Sequence, residues 1–303
     1  RNTSLPNWAG RNMSVIKRAS PNIQPVVRVL AMGNSFTIDA MESSLFAVAR
    51  DAGIRLVLGN ACWGGFSLED HYQAIVTDSA CYEYRKCDGG EFTVDNNVRF
   101  STILTDEPWE YVILQQTSYL AGFYDTYEPA MTNLISVLKG CLPNTDAKYG
   151  FYMVWTYNQD SKNPKFVNYN NDQMFMYESI LDATEKTMDA HPDLDFLIPT
   201  GTAIQNLRTS FVGDNLNRDG AHLTLDLGRA TAAYSWYSAL FGDEATLQNT
   251  YTPYNLNEFT TMMVKKAAID AMHNPYTITP QSYPDYTGDN TIIPSDIYLN
   301  FSQ

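Results

Sequence analysis

Short, almost continuously apolar runs alternate with helical patterns along most of this chain. The runs have the length of strands: Val26–Met32, Ile54–Gly59, Tyr111–Gln115, Tyr149–Trp155 and Phe196–Pro199. The helical patterns are Asp39–Ala52, Tyr127–Leu142, Asn171–Ala190 and Leu225–Leu240. Strands that are apolar on both faces are typical of a parallel sheet covered by helices on both sides. The sequence therefore predicts an α/β fold with a parallel five-stranded sheet.

Two regions depart from this alternation. Residues 77–99 contain two cysteines, a pair of glycines and a strand-like EFTV segment, which indicate an inserted hairpin. Beyond Gly242, one further helical pattern, Asn257–Met272, precedes a stretch rich in proline, tyrosine and asparagine. We expect a polar N-terminal linker or leader over 1–25, a main domain over 26–242, and a C-terminal extension over 243–303 packed on that domain.

Composition narrows the classes of partner. The chain of 303 residues carries 20 basic and 34 acidic residues, a formal net charge of −14. This charge disfavours nucleic acid and anionic membrane surfaces as partners, because both are negative. No apolar run approaches the roughly 18 residues that a membrane-spanning helix needs. This excess of acidic residues fits a protein that acts on a neutral or small substrate. The sequence leaves the oligomeric state open.

The four cysteines indicate whether the chain binds a metal and whether it belongs to an oxidising compartment. Cys62, Cys81, Cys87 and Cys141 form no Cys-x-x-Cys pair, so we expect no zinc or other metal site. Cys81 and Cys87 flank YEYRK, where a disulfide closing a hairpin and two free thiols fit equally well. The chain starts at Arg1 with a polar segment, so we expect export to the periplasm or outside, with a lipid anchor before trimming left open. Export would favour the disulfide.

The first predicted strand ends in Gly33-Asn34-Ser35-Phe36, directly before a helical pattern. The serine has two interpretations. It can cap the helix, because serine is a favoured N-cap residue. It can instead be a nucleophile, held where free backbone N–H groups favour developing negative charge. Ligands of parallel sheets bind beyond the carboxyl ends of the strands, so the segments Cys62–Ser67, Gln115–Ser118 and Trp155–Gln159 should face the same crevice as Ser35.

A serine nucleophile needs a base, and the base needs an orienting group. Among four histidines, His222 is preceded by Asp219 at three positions, within NRDGAHLTLDLG. On a turn before a helix, this spacing lets Asp219 accept a hydrogen bond from one ring nitrogen while the other faces Ser35. Taken alone, the pair is more often a turn residue and a satisfied loop histidine. Combined with the serine after a strand, it favours a catalytic triad.

These segments resemble the SGNH (GDSL-like) hydrolase superfamily. GNSF and DGAH are similar to its first and last blocks. GGFSLEDH, VILQQTS, WTYNQDS and GTAIQNLRTSFVGDNLNRDGAHLTLDLGR resemble one bacterial subfamily, filed as a domain of unknown function. The resemblance covers about Val27 to Gly242. It implies a three-layer α/β/α, flavodoxin-like fold, with Ser35 as nucleophile, His222 as base and Asp219 as its orienting group.

The resemblance also implies an oxyanion hole. The superfamily usually builds one from the serine N–H, a second-block glycine and a third-block asparagine. The glycine is Gly65, or Gly64, in this sequence. The third block reads LQQTS and lacks the asparagine. A glutamine amide is also a donor, so we expect Gln115, with Gln116 as second choice, to complete the hole; either could bond loop backbone instead.

Further residues are candidates for the cleft wall: Asn34, Gly64, His71, Trp155 and Tyr157. Trp155 and Tyr157 could form a stacking wall for a sugar ring, and Asn34 could brace the serine loop. Core packing is an equal alternative for the two aromatic residues, as a plain turn role is for Asn34.

The sequence therefore predicts a serine esterase. Carbohydrate O-acetyl groups are the expected substrate, on family analogy. The acyl-enzyme mechanism requires no cofactor. A non-catalytic carbohydrate-binding protein on the same fold is one alternative. A lipase or thioesterase is another, although no apolar lid-like segment is visible.

Overall fold

One seven-stranded sheet forms the centre of the computed structural model, which describes residues 24–283. The strands are β1 (Val26–Gly33), β2 (Arg55–Cys62), β3 (Tyr82–Asp88), β4 (Phe92–Val98), β5 (Tyr111–Leu114), β6 (Lys148–Tyr152) and β7 (Phe196–Ile198). Their order across the sheet is β4-β3-β2-β1-β5-β6-β7. Neighbours from β2 to β7 pair in parallel, whereas β3 is antiparallel to β2 and β4 is antiparallel to β3.

The prediction of a parallel sheet of five strands is wrong. The sheet has seven strands, and it is mixed because two of its strand pairings are antiparallel. The additional strands are β3 and β4, which form a hairpin and join the sheet where Cys87 pairs with Leu58 of β2. Buried and partly exposed residues intermingle along β3, and most of β4 is exposed. Edge strands of this kind lack the continuous apolar run that identifies the inner parallel strands.

The helices follow most strands. They are α1 (Ser35–Met41), α2 (Leu45–Asp51), α3 (Leu68–Thr77), α4 (Phe100–Asp106), α5 (Ala130–Cys141), α6 (Gln173–Ala190), α7 (Thr200–Arg208), α8 (Leu227–Phe241), α9 (Asp243–Gln248) and α10 (Glu258–His273). Short 3-10 helices occupy Tyr124–Thr126 and Pro164–Tyr169. The single helix predicted over Asp39–Ala52 is two helices, and the first begins at Ser35 itself.

Helices cover both faces of the sheet. All four residues of β5 are buried, as are the last five of β1. Successive residues of a strand point to opposite faces, so this burial requires cover on both sides. On one side α8 packs against α1, α2, α7 and α10, and elsewhere α3 packs against α4 and α5.

The C-terminal helix α10 shares this core. Met263, Val264 and Ala267 are fully buried in the same apolar cluster as β1 and α8. Residues 243–283 therefore pack with the domain over 26–242. The expected N-terminal linker lies almost wholly outside the described residues, as does the end of the chain from residue 284.

All four cysteines are free thiols. The disulfide interpretation for Cys81 and Cys87 is therefore wrong. Cys81 precedes β3 and Cys87 lies near its far end. Six residues of extended strand separate them by about 20 Å, far beyond the reach of a disulfide.

Within residues 24–283, no helix combines the length and apolarity that crossing a bilayer would require.

Candidate active site

Asn34, rather than Ser35, caps helix α1. The Asn34 Oδ1 accepts a hydrogen bond from the Phe36 N–H at 2.9 Å, and the Asn34 N–H donates to Thr37 Oγ1 at 3.1 Å. Ser35 is the first residue of the helix and is half-buried. The capping interpretation of Ser35 is therefore wrong, and its hydroxyl is left for another partner.

That partner is His222. The Ser35 hydroxyl lies 2.8 Å from His222 Nε2, and His222 Nδ1 lies 2.7 Å from Asp219 Oδ2. A carboxylate can only accept, so Nδ1–H donates to Asp219 and Nε2 is the acceptor for the serine proton. The structure thus brings together the three residues named from the GNSF and DGAH blocks.

Backbone donors fix the Asp219 carboxylate. Its Oδ1 accepts the N–H of His222 at 2.7 Å and of Ala221 at 3.0 Å. Burial alone would raise the pKa of Asp219, but these N–H groups and the imidazole outweigh it and lower the pKa below the usual range. The side chain is half exposed, so the site is open on this side.

Trp155 packs beneath the loop that carries His222, which runs between α7 and α8 over residues 209–226 and is called the histidine loop below. Its indole Nε1 donates to the Ala221 carbonyl at 2.7 Å, and its ring stacks on Phe36 with centroids 4.2 Å apart. Phe36 in turn meets the His222 ring edge-on at 5.5 Å. Trp155 is fully buried, so the prediction that it forms a stacking wall for substrate is wrong. Trp155 instead positions the histidine loop through its hydrogen bond to Ala221.

Tyr157 is also buried, and its hydroxyl lies 2.9 Å from Ser118 Oγ. Asn34 is buried as well, and its Nδ2 donates to the Phe66 carbonyl at 3.1 Å. Neither residue lines the cleft. Asn34 instead ties the serine loop to the loop that carries Gly64 and Gly65, which agrees with the bracing role considered for it.

His71 lies beneath the serine loop rather than in the cleft. Its Nε2 is 3.1 Å from the Gly33 carbonyl, and its Nδ1 is 2.8 Å from the Tyr82 hydroxyl. A carbonyl only accepts, so Nε2–H is the donor and the Tyr82 hydroxyl donates to Nδ1. Burial lowers the pKa of His71 to about 4, which keeps the ring neutral at neutral pH.

Two backbone N–H groups, that of Ser35 and that of Gly65 in the glycine loop after β2, have no acceptor in the described part of the chain. Gly65 has a positive φ of 74°, and a Cβ built at Gly64 or Gly65 would meet nothing within 4 Å. Both glycines are exposed. This loop can therefore approach a substrate oxygen closely.

The two glutamines of the third block do not supply a further donor. Gln116 Nε2 donates to the Thr126 carbonyl at 3.1 Å, and Gln116 Oε1 accepts from the Leu68 N–H. Gln115 Oε1 accepts from Thr37 Oγ1 at 2.7 Å, and its Nε2 is buried away from solvent. The prediction that Gln116 completes an oxyanion hole is wrong, because its amide nitrogen is already bonded to the Thr126 carbonyl. Gln115 Nε2 has no partner among residues 24–283, but it is buried and is therefore not an exposed donor either.

The structure draws attention to one residue that sequence interpretation missed. Trp63 follows β2 directly, precedes Gly64, and is 47% exposed. Its N–H reaches the Gly33 carbonyl at 3.5 Å, so it lies beside the serine loop. The sequence could have indicated this residue, because it is a large aromatic residue that follows a strand and precedes two glycines.

Comparison with known proteins identifies the family. Residues 28–271 match the family model DUF4886, described as a domain of unknown function. The chain belongs to the DUF4886 family. A DUF4886 protein from Bacteroides uniformis ATCC 8492, solved at 1.50 Å resolution, is 38% identical with a TM-score of 0.80, covering 84% of this chain and 97% of that one. The predicted membership of a family of unknown function is thus confirmed.

Two more distant structures share less with this DUF4886 chain. A candidate SGNH hydrolase from Slackia heliotrinireducens is 18% identical, with a TM-score of 0.48, over 71% of this chain and 99% of that one. TesA is 13% identical, with a TM-score of 0.43, over 70% and 97% of the two chains. A search of curated proteins finds no match.

Proposed function

We propose that this DUF4886 protein is a serine hydrolase that cleaves carboxylic ester bonds. The observation that carries the proposal is the continuous chain of hydrogen bonds from the Ser35 hydroxyl through His222 to Asp219, at 2.8 and 2.7 Å. This arrangement matches the geometry by which a hydroxyl becomes a nucleophile: a base within hydrogen-bond reach, and a carboxylate that fixes the tautomer of the base.

The chemistry follows from these contacts. Ser35 Oγ attacks the ester carbonyl while His222 Nε2 takes its proton, and Asp219 stabilises the resulting imidazolium. The developing oxyanion accepts hydrogen bonds from the N–H groups of Ser35 and Gly65. His222 then gives its proton to the leaving alcohol oxygen, which leaves an acyl-enzyme. Water repeats the sequence and releases the acid.

The openness of the site supports a large alcohol group, and we infer that acetylated carbohydrate is the substrate class. The Asp219 side chain is half exposed, and Gly64 and Gly65 are exposed. Trp63, at 47% exposure on the same loop, offers a ring on which a sugar can stack. In this proposal Trp63 has the sugar-stacking role that the sequence analysis considered for Trp155 and Tyr157.

A second candidate is a carbohydrate-binding protein without catalysis. It is favoured by one observation, that neither Gln115 nor Gln116 offers an amide donor at the surface. The oxyanion would then depend on two backbone N–H groups, and loss of one such donor lowers kcat by about 100- to 1,000-fold in a serine protease.

A panel of esters separates these functions. The panel contains aryl esters of acetate and octanoate and an acetylated oligosaccharide, with labelling by a fluorophosphonate as a measure of serine reactivity. We expect hydrolysis of the acetyl esters, and loss of both hydrolysis and labelling in Ser35→Ala. Preference for octanoate would indicate a lipase. Binding of oligosaccharide with no hydrolysis and no labelling would establish the binding protein.

A further inference from the structure

A carboxylate lies fully buried one helical turn after Ser35. Asp39 is on α1 and is 0% exposed. Its Oδ1 accepts hydrogen bonds from Arg218 Nη1 at 2.9 Å and from Arg229 Nε at 3.0 Å. Its Oδ2 accepts the Leu223 N–H at 2.8 Å. Two donors from the segment around His222 and one from helix α8 therefore converge on one side chain of the serine helix.

These donors hold the backbone on both sides of His222. The N–H of Arg218 donates to the His222 carbonyl at 2.8 Å, and the Arg218 guanidinium also donates to the Leu223 carbonyl. The Leu223 N–H, which Asp39 accepts, belongs to the residue next to His222. The loop is thus closed on itself by Arg218 and anchored to α1 by Asp39.

We propose that Asp39 is a positioning residue, which sets the distance and direction of the Ser35–His222 hydrogen bond. Positions i and i+4 lie on the same side of a helix, so α1 presents the nucleophile and the anchoring carboxylate to one loop. The fall in kcat that this role predicts rests on the proposed hydrolase function. The role assigns to Asp39 no contact with substrate.

An asparagine at this position cannot reproduce the contacts. A carboxylate has only acceptors, and all three partners of Asp39 are donors. An amide would place its own NH₂ group against either the Leu223 N–H or a guanidinium group. The partly exposed guanidinium groups of Arg218 and Arg229 would also lose their counter-charge. The loop would have to move, and His222 would move with it.

The same helix supplies a matched control. Glu42 caps the C-terminal end of α1, and its largely buried carboxylate accepts from Arg85 Nη2 of β3 at 2.9 Å. The contacts of Glu42 do not include the His222 loop. Glu42→Gln thus makes the same chemical change, a largely buried acid to an amide opposite an arginine, away from the loop.

The experiment compares Asp39→Asn and Glu42→Gln in the full chain, using an aryl acetate. We expect Asp39→Asn to lower kcat by about 100-fold with KM changed less than about threefold, and Glu42→Gln to leave both within about threefold. Should Asp39→Asn fail to fold, Arg218→Gln serves instead. Arg218 is partly exposed, and its loss removes one donor from Asp39 and one from the loop. A smaller fall in kcat, again with little change in KM, is then expected.

Proton NMR provides a readout that does not depend on turnover. The His222 Nδ1–H that bonds Asp219 should give a sharp downfield resonance in the wild type and in Glu42→Gln, and a shifted or broadened one in Asp39→Asn. An unchanged resonance together with unchanged kcat in Asp39→Asn would overturn the inference, as would equal kinetic losses in both variants. Wild-type protein that neither hydrolyses esters nor reacts with fluorophosphonate would instead overturn the proposed function, while the resonances would still test Asp39.

Discussion

Two serines at the same edge of the sheet have different roles. Ser67 caps α3, where its Oγ accepts the Asp70 N–H at 3.2 Å in a capping box. Ser35 caps nothing, because Asn34 has that role. A serine at a strand-to-helix junction is therefore not explained by its position alone, and the contacts of its hydroxyl decide its role.

Alanine at each serine should separate the two roles. We expect Ser35→Ala to abolish ester hydrolysis while changing the free energy of unfolding by less than about 0.5 kcal/mol. Ser67→Ala should lower the free energy of unfolding by about 0.5–2 kcal/mol, as loss of an N-cap does, and should retain hydrolysis. Urea denaturation and an aryl acetate assay measure both. The reverse pattern would return Ser35 to a structural role.

His71 should make the fold sensitive to acid. Burial lowers its pKa to about 4 in the folded protein, whereas the unfolded chain titrates near about 6.5. The unfolded state therefore binds more protons between these pH values, and stability falls as the pH falls through that window. The lowered pKa implies a loss of about 3 kcal/mol by pH 4.

His71→Gln provides the comparison, because a glutamine amide can donate to the Gly33 carbonyl and accept from the Tyr82 hydroxyl without titrating. We expect the free energy of unfolding of the wild type to fall by about 3 kcal/mol more than that of the variant between pH 7 and pH 4. Urea denaturation at both pH values measures the difference. Parallel losses in the two proteins would contradict the assignment.

At the scale of elements, the segment that follows β6 supports the loop before α8. Trp155 donates to the Ala221 carbonyl, which also accepts from Asn217 Nδ2 at 2.9 Å. The contact joins residues 66 positions apart in the chain. It places a buried indole under the peptide that precedes His222, so a residue just beyond the sheet anchors the loop that carries His222.

Trp155→Phe removes this donor and keeps an aromatic ring against Phe36. We expect kcat to fall by up to about tenfold, since one hydrogen bond contributes roughly 1 kcal/mol. Trp109→Phe is the matched control. Trp109 is also fully buried, and its Nε1 donates to the Ile103 carbonyl at 2.9 Å, before β5 and away from the site. Both variants should lose stability; equal falls in kcat would refute a specific role for Trp155.

At the scale of the whole molecule, one apolar core extends from the sheet to α10. Met263 of α10 is fully buried, whereas its neighbour Met262 is 41% exposed. Helix α10 packs against both α8 and α7, and every residue of α8 except Arg229 is buried. The C-terminal helix should therefore unfold together with the sheet.

Met263→Ala should lower the free energy of unfolding by about 2–5 kcal/mol, and Met262→Ala by less than about 0.5 kcal/mol. Tryptophan fluorescence and circular dichroism should report one coincident transition in each protein. A separate early transition, affected only by Met263→Ala, would show that residues 243–283 are an independent appendage.

The sequence by itself determined the features that depend on short-range patterns. The inner parallel strands were visible because strands buried on both faces are continuously apolar. Asp219 and His222 could be paired because three positions on a turn bring their side chains together. Ser35 could be placed at the carboxyl edge of the sheet because it follows a strand. Each of these inferences needs only a few neighbouring residues.

Tertiary structure decided which polar and aromatic side chains reach the cleft. Gln115 and Trp155 follow strands and His71 lies in helix α3, and at such positions the chain alone does not show whether a side chain points outward or beneath a loop. Their partners Thr37, Ala221 and Gly33 are 78, 66 and 38 positions away. Burial of a polar group is set by such distant partners, because it is stable only where a donor or acceptor meets it. The sequence could therefore name the residues of the proposed triad, but the side chains that hold them in place became visible only in the fold.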